Sequence, residues 1–437
     1  MQLKKIKTGL SLATCSLLQI AIPNVQAAES EWEIDTALLI YSESDNRVMA
    51  VEPAIYAGTD FENGDRLDLR LVVDALTGAS PNGAHASSVV QTFTTPSGNG
   101  TYTTSPGETP LDDSFRDTRV SLGADWSMEL NRLSKLTLGA NFSNEYDYLA
   151  LGLSASYARD FNSRNTTLTA SFGFNNDTIE PSGGIPLALQ PMVSPGFSQN
   201  RSSPDETKTI SDFLIGVTQV VDRKTLVQLN YSFGVTDGYQ NDPFKIISVI
   251  DPATGLPATA SGSSFFDTAT TGNRPYLYER RPDSRQRNSL FFKAVRHLQK
   301  DVIHLSYRYY WDDWEINSHT LDFSYRYQMD NSYLQPHIRY YQQDKAEFYT
   351  HNLALGTDLD PVTGAVSRQY ASNDYRLADS VTTTLGLKYG IPLGDRSEFA
   401  VRAEIIQQSI DDGSVPAGEA SPDLNAYLIQ FNYSLVW

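Results

Sequence analysis

The chain of 437 residues has one cysteine, five methionines and fewer bases than acids, 34 Lys and Arg against 52 Asp and Glu, for a formal charge of −18. Each shortage excludes something. A single cysteine cannot build a disulfide framework. The deficit of positive charge argues against a nucleic-acid binder, which needs a basic face to displace counterions from phosphates. Outside the first thirty positions there is no apolar run of the roughly eighteen residues a spanning helix requires, so an α-helical membrane protein is excluded. What the chain has in quantity is 24 Tyr, 19 Phe and 28 Gly, a usage that favours strands over helices.

The N-terminus carries Lys4, Lys5 and Lys7, then a mostly apolar stretch from Leu10 to Ile22, then Val25-Gln26-Ala27. A basic start, a short apolar middle and small residues before a cut describe a secretory signal peptide over residues 1–27, cleaved between Ala27 and Ala28. Cleavage would remove Cys15 and leave residues 28–437 with no thiol and no need of an oxidising compartment. Leu12-Ala13-Thr14-Cys15 faintly resembles a lipoprotein box. Thr14 is a poor residue there, and apolar sequence continues past the cysteine.

From Glu31 onward the dominant signal is alternation with period two. Tyr427, Ile429, Phe431, Tyr433, Leu435 and Trp437 alternate with mostly small or polar residues, as do Val227, Leu229, Tyr231 and Phe233. Successive side chains of a strand point to opposite faces, so each such segment has one greasy face and one wetter face. Sixteen segments fit the pattern, at about 32–43, 47–60, 66–77, 115–130, 134–145, 148–160, 165–175, 208–222, 225–240, 287–297, 302–312, 318–329, 333–343, 378–391, 397–408 and 426–437. The four long connections, 78–114, 176–207, 241–286 and 344–377, all fall on odd-numbered gaps, and every even-numbered gap is a tight turn such as Glu62-Asn63-Gly64-Asp65 or Arg223-Lys224.

That asymmetry predicts an all-β fold: a transmembrane, up-and-down antiparallel β-barrel of about 16 strands, occupying residues 28–437, with short periplasmic turns and long extracellular loops. An even strand number brings both ends of the barrel to the periplasmic side. A soluble sandwich would use strands nearer five or six residues, whereas many segments here have the length a tilted strand needs to cross the membrane. A propeller would need repeats of some forty to fifty residues, and none is found.

The ending Asn432-Tyr433-Ser434-Leu435-Val436-Trp437 resembles the C-terminal signature of bacterial outer-membrane barrels. The resemblance makes Tyr433, Leu435 and Trp437 an assembly signal for the barrel-assembly machinery, with Trp437 standing where phenylalanine is commoner. The chain as a whole resembles an uncharacterised family of outer-membrane β-barrel proteins defined as a domain of unknown function. The resemblance rests on Ile55-Tyr56, Asp68-Leu69-Arg70, the Arg-Asp-Thr-Arg stretch at 116–119, the run from Tyr307 to Trp314, and Tyr325-Arg326-Tyr327. It implies the bacterial outer membrane as location. Members tend to be encoded near a flavin transferase and a small lipoprotein, which implies a periplasmic lipoprotein or redox protein as partner. The family carries no activity, so no catalytic residue follows from it.

Assigning the greasy face to lipid leaves a list of charged lumen residues. The N-terminal half contributes Glu52, Asp68, Arg70, Asp74, Arg119 and Asp125, mostly acids. The C-terminal half contributes Lys293, His297, His304, Arg308, Asp322, Arg326, His337, Arg339, Lys388, Arg402 and Glu404, mostly bases. Such a division would set an acidic wall against a basic one and give the pore a selective transverse field. Alternatively the charges pair with one another and fill the interior. A lumen of sixteen strands is too wide for side chains alone to fill.

The run from Tyr307 to Trp314, with Tyr325, Tyr327, Tyr340 and Tyr341, reads as an interfacial aromatic girdle in preference to a ligand site. His304-Leu305-Ser306 with Asn317 has the spacing of the catalytic residues of outer-membrane phospholipases, but the alternation turns His304 and Ser306 inward, away from lipid. The six histidines have no close metal-ligand spacing. Asp251-Pro252-Ala253-Thr254-Gly255 and Asp360-Pro361-Val362-Thr363-Gly364 lack the repeated acids of a calcium loop and predict tight turns inside partly ordered surface hairpins. No phosphate loop, haem-attachment motif or dinucleotide fingerprint is present, so no cofactor is expected and any redox group belongs to a partner.

The function expected is a porin-like diffusion channel for small polar or charged solutes. The alternatives are a non-conducting sheath for a periplasmic lipoprotein or flavin-linked partner, and a binding protein that displays its surface loops. No enzyme is expected, because no nucleophile, base and orienting group can be proposed together.

Overall fold

A computed structural model describes residues 31–45, 47–79, 81–95, 100–194, 196–411 and 423–437. The expected signal peptide, with Cys15 and the expected cleavage pair Ala27 and Ala28, lies outside the described residues. Sixteen antiparallel strands close into a single barrel. They are β1 (Trp32–Glu43), β2 (Met49–Asp60), β3 (Arg66–Thr77), β4 (Arg116–Asn131), β5 (Ser134–Asn144), β6 (Tyr148–Phe161), β7 (Thr166–Ile179), β8 (Glu206–Asp222), β9 (Thr225–Gly238), β10 (Ser284–His297), β11 (Val302–Asp312), β12 (Asn317–Gln328), β13 (Tyr333–Gln343), β14 (Asp379–Pro392), β15 (Ser397–Asp411) and β16 (Leu424–Val436). Each pairs with its neighbour in sequence, and β16 returns to β1, where Trp32 and Trp437 exchange two backbone hydrogen bonds of 2.8 Å. A closed barrel has no edge strand, so every ladder is satisfied without water.

All sixteen expected strands are present, and several run further than the alternation suggested. β7 continues to Ile179 through Asn175-Asn176-Asp177, and β10 begins at Ser284 with Arg285-Gln286-Arg287. Apart from Ile179, these added positions are polar on both faces. The ladder rises beyond the apolar zone, where period-two hydrophobicity has nothing to report.

Burial is inverted relative to a soluble protein. The alternate positions that hold Leu153 and Ile215 are 66% and 67% exposed, whereas inward Asp74, Asn230 and Glu404 are buried. The register lines the apolar residues into continuous rows around the outside, such as Leu138, Ala155, Phe172 and Phe213. A soluble monomer does not leave such a belt in water, and lipid is the solvent that satisfies it. The aromatic run of β11 divides by the same parity. Tyr307, Tyr309 and Trp311 face outward, where Tyr309 stacks on Trp311 at 5.1 Å and on His319 at 5.0 Å, as a girdle requires. Tyr310, Trp314 and Tyr341 are not in it: the first and last point inward, and Trp314 is buried under the loops.

The four long connections meet one another. Pro191–Val193, Asn273–Tyr278, Ile246–Ile250 and Asn352–Ala354 form a four-stranded sheet drawn from three of them. The turns expected at Asp251 and Asp360 are there, each closed by a backbone bond from the glycine four residues on. Ile246–Ile250 leads into the first of these turns, where Ile250 bridges Pro257 in a short local hairpin, and it also pairs with Asn273–Tyr278 and with Asn352–Ala354 of another loop. The reason is hydrophobic: Ile247, Val249, Leu277 and Leu353 are wholly buried together in a core of the loops' own, with Leu189 and Phe266. Each such side chain contributes about 1.5–3 kcal/mol on burial, enough to order a cap that turn chemistry alone would leave loose. The loop 78–114 joins through Ile246 N–H to Asn82 O at 3.0 Å and His85 N–H to Ser248 Oγ at 2.8 Å. Gly83 lies so close to Ile246 O, with φ at +98°, that any side chain there would collide with it.

At the other end, Tyr333 lies across Gly390, its register partner, with its hydroxyl on Glu398 at 2.6 Å and the Arg326 guanidinium 3.6 Å from the ring centroid. A Cβ at Gly390 would fall inside that ring. Gly390→Val is therefore expected to cost about 1–3 kcal/mol by overpacking. On a gel, the fast-migrating unheated band should disappear at a lower temperature than in the wild type; an unchanged temperature would contradict the packing.

Candidate functional site: the lumen and the chamber beneath the loop cap

Every charged residue expected in the lumen occupies an inward register position. On β2–β4 the ladder sets Asp68 opposite Asp125, and Asp74 opposite Arg119. Most of these charges pair. Arg119 is bonded to the Asp74 carboxylate, Arg70 reaches Asp125 at 3.5 Å, and Glu52 lies against Asp74. On β12–β15, His337 bridges Asp322 at 2.9 Å and Glu404 at 3.0 Å, while Arg339 meets Asp322 at 3.2 Å and Arg402 meets Glu404 at 2.7 Å. Arg326 is 4.0 Å from Glu398. Lys293, His304, Arg308 and Lys388 form no ion pair with a described residue. Among the described residues, pairing is thus local to each wall and does not cross the pore.

The walls keep opposite signs. β3 and β11 stand eight strands apart in a ring of sixteen, so β1–β4 face β9–β12. Inward acids on β1–β4, including Glu33, Asp35 and Asp60 beyond those expected, outnumber Arg66, Arg70 and Arg119. Arg66 alone holds three carboxylates, Glu33 at 2.7 Å, Asp68 at 2.9 Å and Asp60 at 3.1 Å. On β10–β15 the bases are in excess, with Arg285 and Arg287 added to the expected set.

Below the loop cap the basic wall opens into a chamber of about 360 Å³. Its wall is Arg285, Arg308, Tyr310, Thr320 and Tyr341 of β10–β13, and its roof is Arg281, Asp374, Arg376 and Leu377 of the loops. The roof is held by one wholly buried carboxylate. Asp374 takes Arg281 at 2.8 Å, Arg376 Nε at 2.9 Å and the Arg376 backbone N–H at 3.1 Å. Arg281 also meets Glu279 at 2.7 Å, and Arg376 reaches Asp242 at 3.2 Å. Burial pushes the Asp374 carboxyl upward, but Arg376, Lys245 and Arg281 outweigh it and hold it well below the usual carboxylate range. Burial raises Glu279, with Arg281 opposing.

Sequence reasoning missed this roof. Alternation assigns strand residues to a face and has nothing to say about loops. The one available signal was charge density: Arg280, Arg281, Arg285 and Arg287 fall within eight residues that span the start of β10. It also missed Asp117, Glu145 and Asp147, whose carboxylates lie within 4.8 Å of one another and make the one group among the described residues close enough to hold a cation. His85 and His351 stack edge to face at 4.8 Å, a pairing that sequence spacing could not reveal. The phospholipase-like residues do not converge. His304 lies opposite Ser324 on the inner face, whereas Asn317 pairs with Trp311 at the outer mouth.

No curated protein matches the chain. Among solved structures it is similar to the outer membrane protein OpdK from Pseudomonas aeruginosa, at 9% identity over 94% of this chain and 99% of that one, TM-score 0.38. It is also similar to a bacterial polysaccharide outer membrane secretin, at 9% identity over 93% and 98%, TM-score 0.42. A third is a mutant ferric enterobactin receptor from Pseudomonas aeruginosa, at 8% identity over 94% of this chain and 61% of that one, TM-score 0.42. A family model matches from residue 7 to residue 435, and the chain belongs to that family, described as protein of unknown function, DUF3570.

Proposed function

We propose that this protein is a diffusion channel of the bacterial outer membrane for small polar or charged solutes, which cross between an acidic and a basic wall. The observation that carries this reading is the separation of charge across the lumen: ion pairs form within each wall and leave acids in excess on β1–β4 and bases in excess on β10–β15. Such a field aligns dipolar solutes and disfavours apolar ones. Insertion would run through the barrel-assembly machinery, with Tyr433, Leu435 and Trp437 as the recognised residues on the closing strand.

The ordered loop cap favours a second reading, a barrel that conducts little and sheathes a periplasmic lipoprotein or redox partner. Recording from the purified, refolded protein in planar bilayers separates the two. A channel gives discrete, ion-selective conductance without any added component. An electrically silent protein that inserts and remains heat-modifiable on gels would overturn the channel and leave the sheath.

A further inference from the structure

We propose that the chamber between the loop cap and the β10–β13 wall is a binding site for a small oxyanion, such as inorganic phosphate or a short carboxylate. Three of its four arginines are already occupied. Arg285 is held by Asp312 at 2.8 Å, Arg281 by Glu279 and Asp374, and Arg376 by Asp374 and Asp242. Arg308 is different. Its guanidinium lies 5.7 Å from the Phe291 ring centroid and forms no ion pair with a described residue.

The surroundings of Arg308 suit an anion that arrives from outside. The register places Phe291, Arg308, Thr320, Tyr341 and Thr382 in one row across the wall, a single cation among three hydroxyls and no carboxylate. The row above it, Ser289, Tyr310, Ser318, Gln343 and Ser380, is neutral and polar. A planar guanidinium with free donors takes an oxyanion through two parallel hydrogen bonds, and neighbouring hydroxyls can complete the shell. The carboxylate of the roof does not repel such a ligand as a bare charge would, because Asp374 is wholly buried and enclosed by Arg281 and Arg376. The volume of about 360 Å³ fits a small ligand and excludes a polymer.

This site deepens the solute reading above, but it is tested by binding and not by conductance, so an empty chamber and a silent channel are separable outcomes. Calorimetric titration of the full, refolded protein with inorganic phosphate, and separately with succinate, at fixed ionic strength should give saturable binding to at least one of the two, with chloride giving none. Arg308→Gln should weaken that affinity at least tenfold, and Arg308→Lys should restore only part of it, because an ammonium keeps the charge and loses the fork. Arg223→Gln in the periplasmic turn should change nothing. Heat-modifiability on gels confirms that each variant is folded. The proposal is overturned if neither oxyanion binds better than chloride, or if folded Arg308→Gln binds as tightly as the wild type.

Discussion

Replacing Asp374 by alanine is expected to unlatch the loop cap while leaving the barrel closed. The carboxylate is fully buried and is shared by Arg281 and Arg376, and Arg281 is itself largely enclosed. Removing the anion strands a buried guanidinium, at a cost of about 3–5 kcal/mol. That is enough to move a closed-to-open equilibrium by roughly two to three and a half orders of magnitude. The barrel hydrogen bonds do not involve this group. The variant should therefore keep its folded band on unheated gels, yet be cut by trypsin after Arg280 or Arg376 far faster than the wild type. Equal cleavage rates would show that the apolar core of the loops holds the cap without the clasp. Asp374→Asn keeps the acceptor for the Arg376 backbone N–H and should give a smaller increase.

Acid provides an independent route to the same contact. Arg376, Lys245 and Arg281 hold Asp374 below the usual carboxylate range, so its contribution is complete above the ordinary value of about 3.9 and is lost only as pH falls through the lower, folded-state value. Glu279, facing Arg281, Asp242 and Asp374, is raised by burial, so its effect runs the other way: what its protonated form contributes is lost as pH rises through its folded value. The Asp374 clasp is thus expected to persist through mildly acid conditions.

How far the molecule could be read from its sequence follows from what each part obeys. Inside the membrane, one face must be apolar and the other can be polar, so parity alone locates Leu153 outside and Asp68, Arg308 and Arg339 inside. Loop position on odd gaps gave the orientation. Above the membrane the rule lapses. Ile246-Ile247-Ser248-Val249-Ile250 looks like one arm of a local hairpin, and its end does pair with Pro257, but its pairing with Asn273–Tyr278 and Asn352–Ala354 depends on the company of Leu277 and Leu353, supplied by other parts of the loops. Asp374 and Arg281 lie 93 residues apart and meet only once that sheet forms. For the lumen charges, sequence could name the walls but not the pairings, because register decides that Asp322 serves Arg339 and His337 while Arg308 is left without a carboxylate.

That difference between paired and unpaired cations leads to the second large effect. The variant carrying Lys293→Gln, Arg308→Gln and Lys388→Gln is expected to shift the channel strongly toward cations. These three side chains form no ion pair with a described residue, so their charge is what the basic wall presents to a passing ion, and removing it leaves the acidic wall of β1–β4 unopposed. Pore geometry changes little, so total conductance should stay within about twofold while the reversal potential in a salt gradient moves toward the cation limit. The shift should be largest in dilute salt and fade near 1 M, where the screening length falls to about 3 Å. Neutralising Arg339 and Arg402 instead removes cations that already sit on Asp322 and Glu404. It uncovers two carboxylates held by His337 alone, so instability should accompany any change in selectivity. If the first variant leaves the reversal potential where it was, ions do not pass along the basic wall, and the field across the lumen has no part in choosing them.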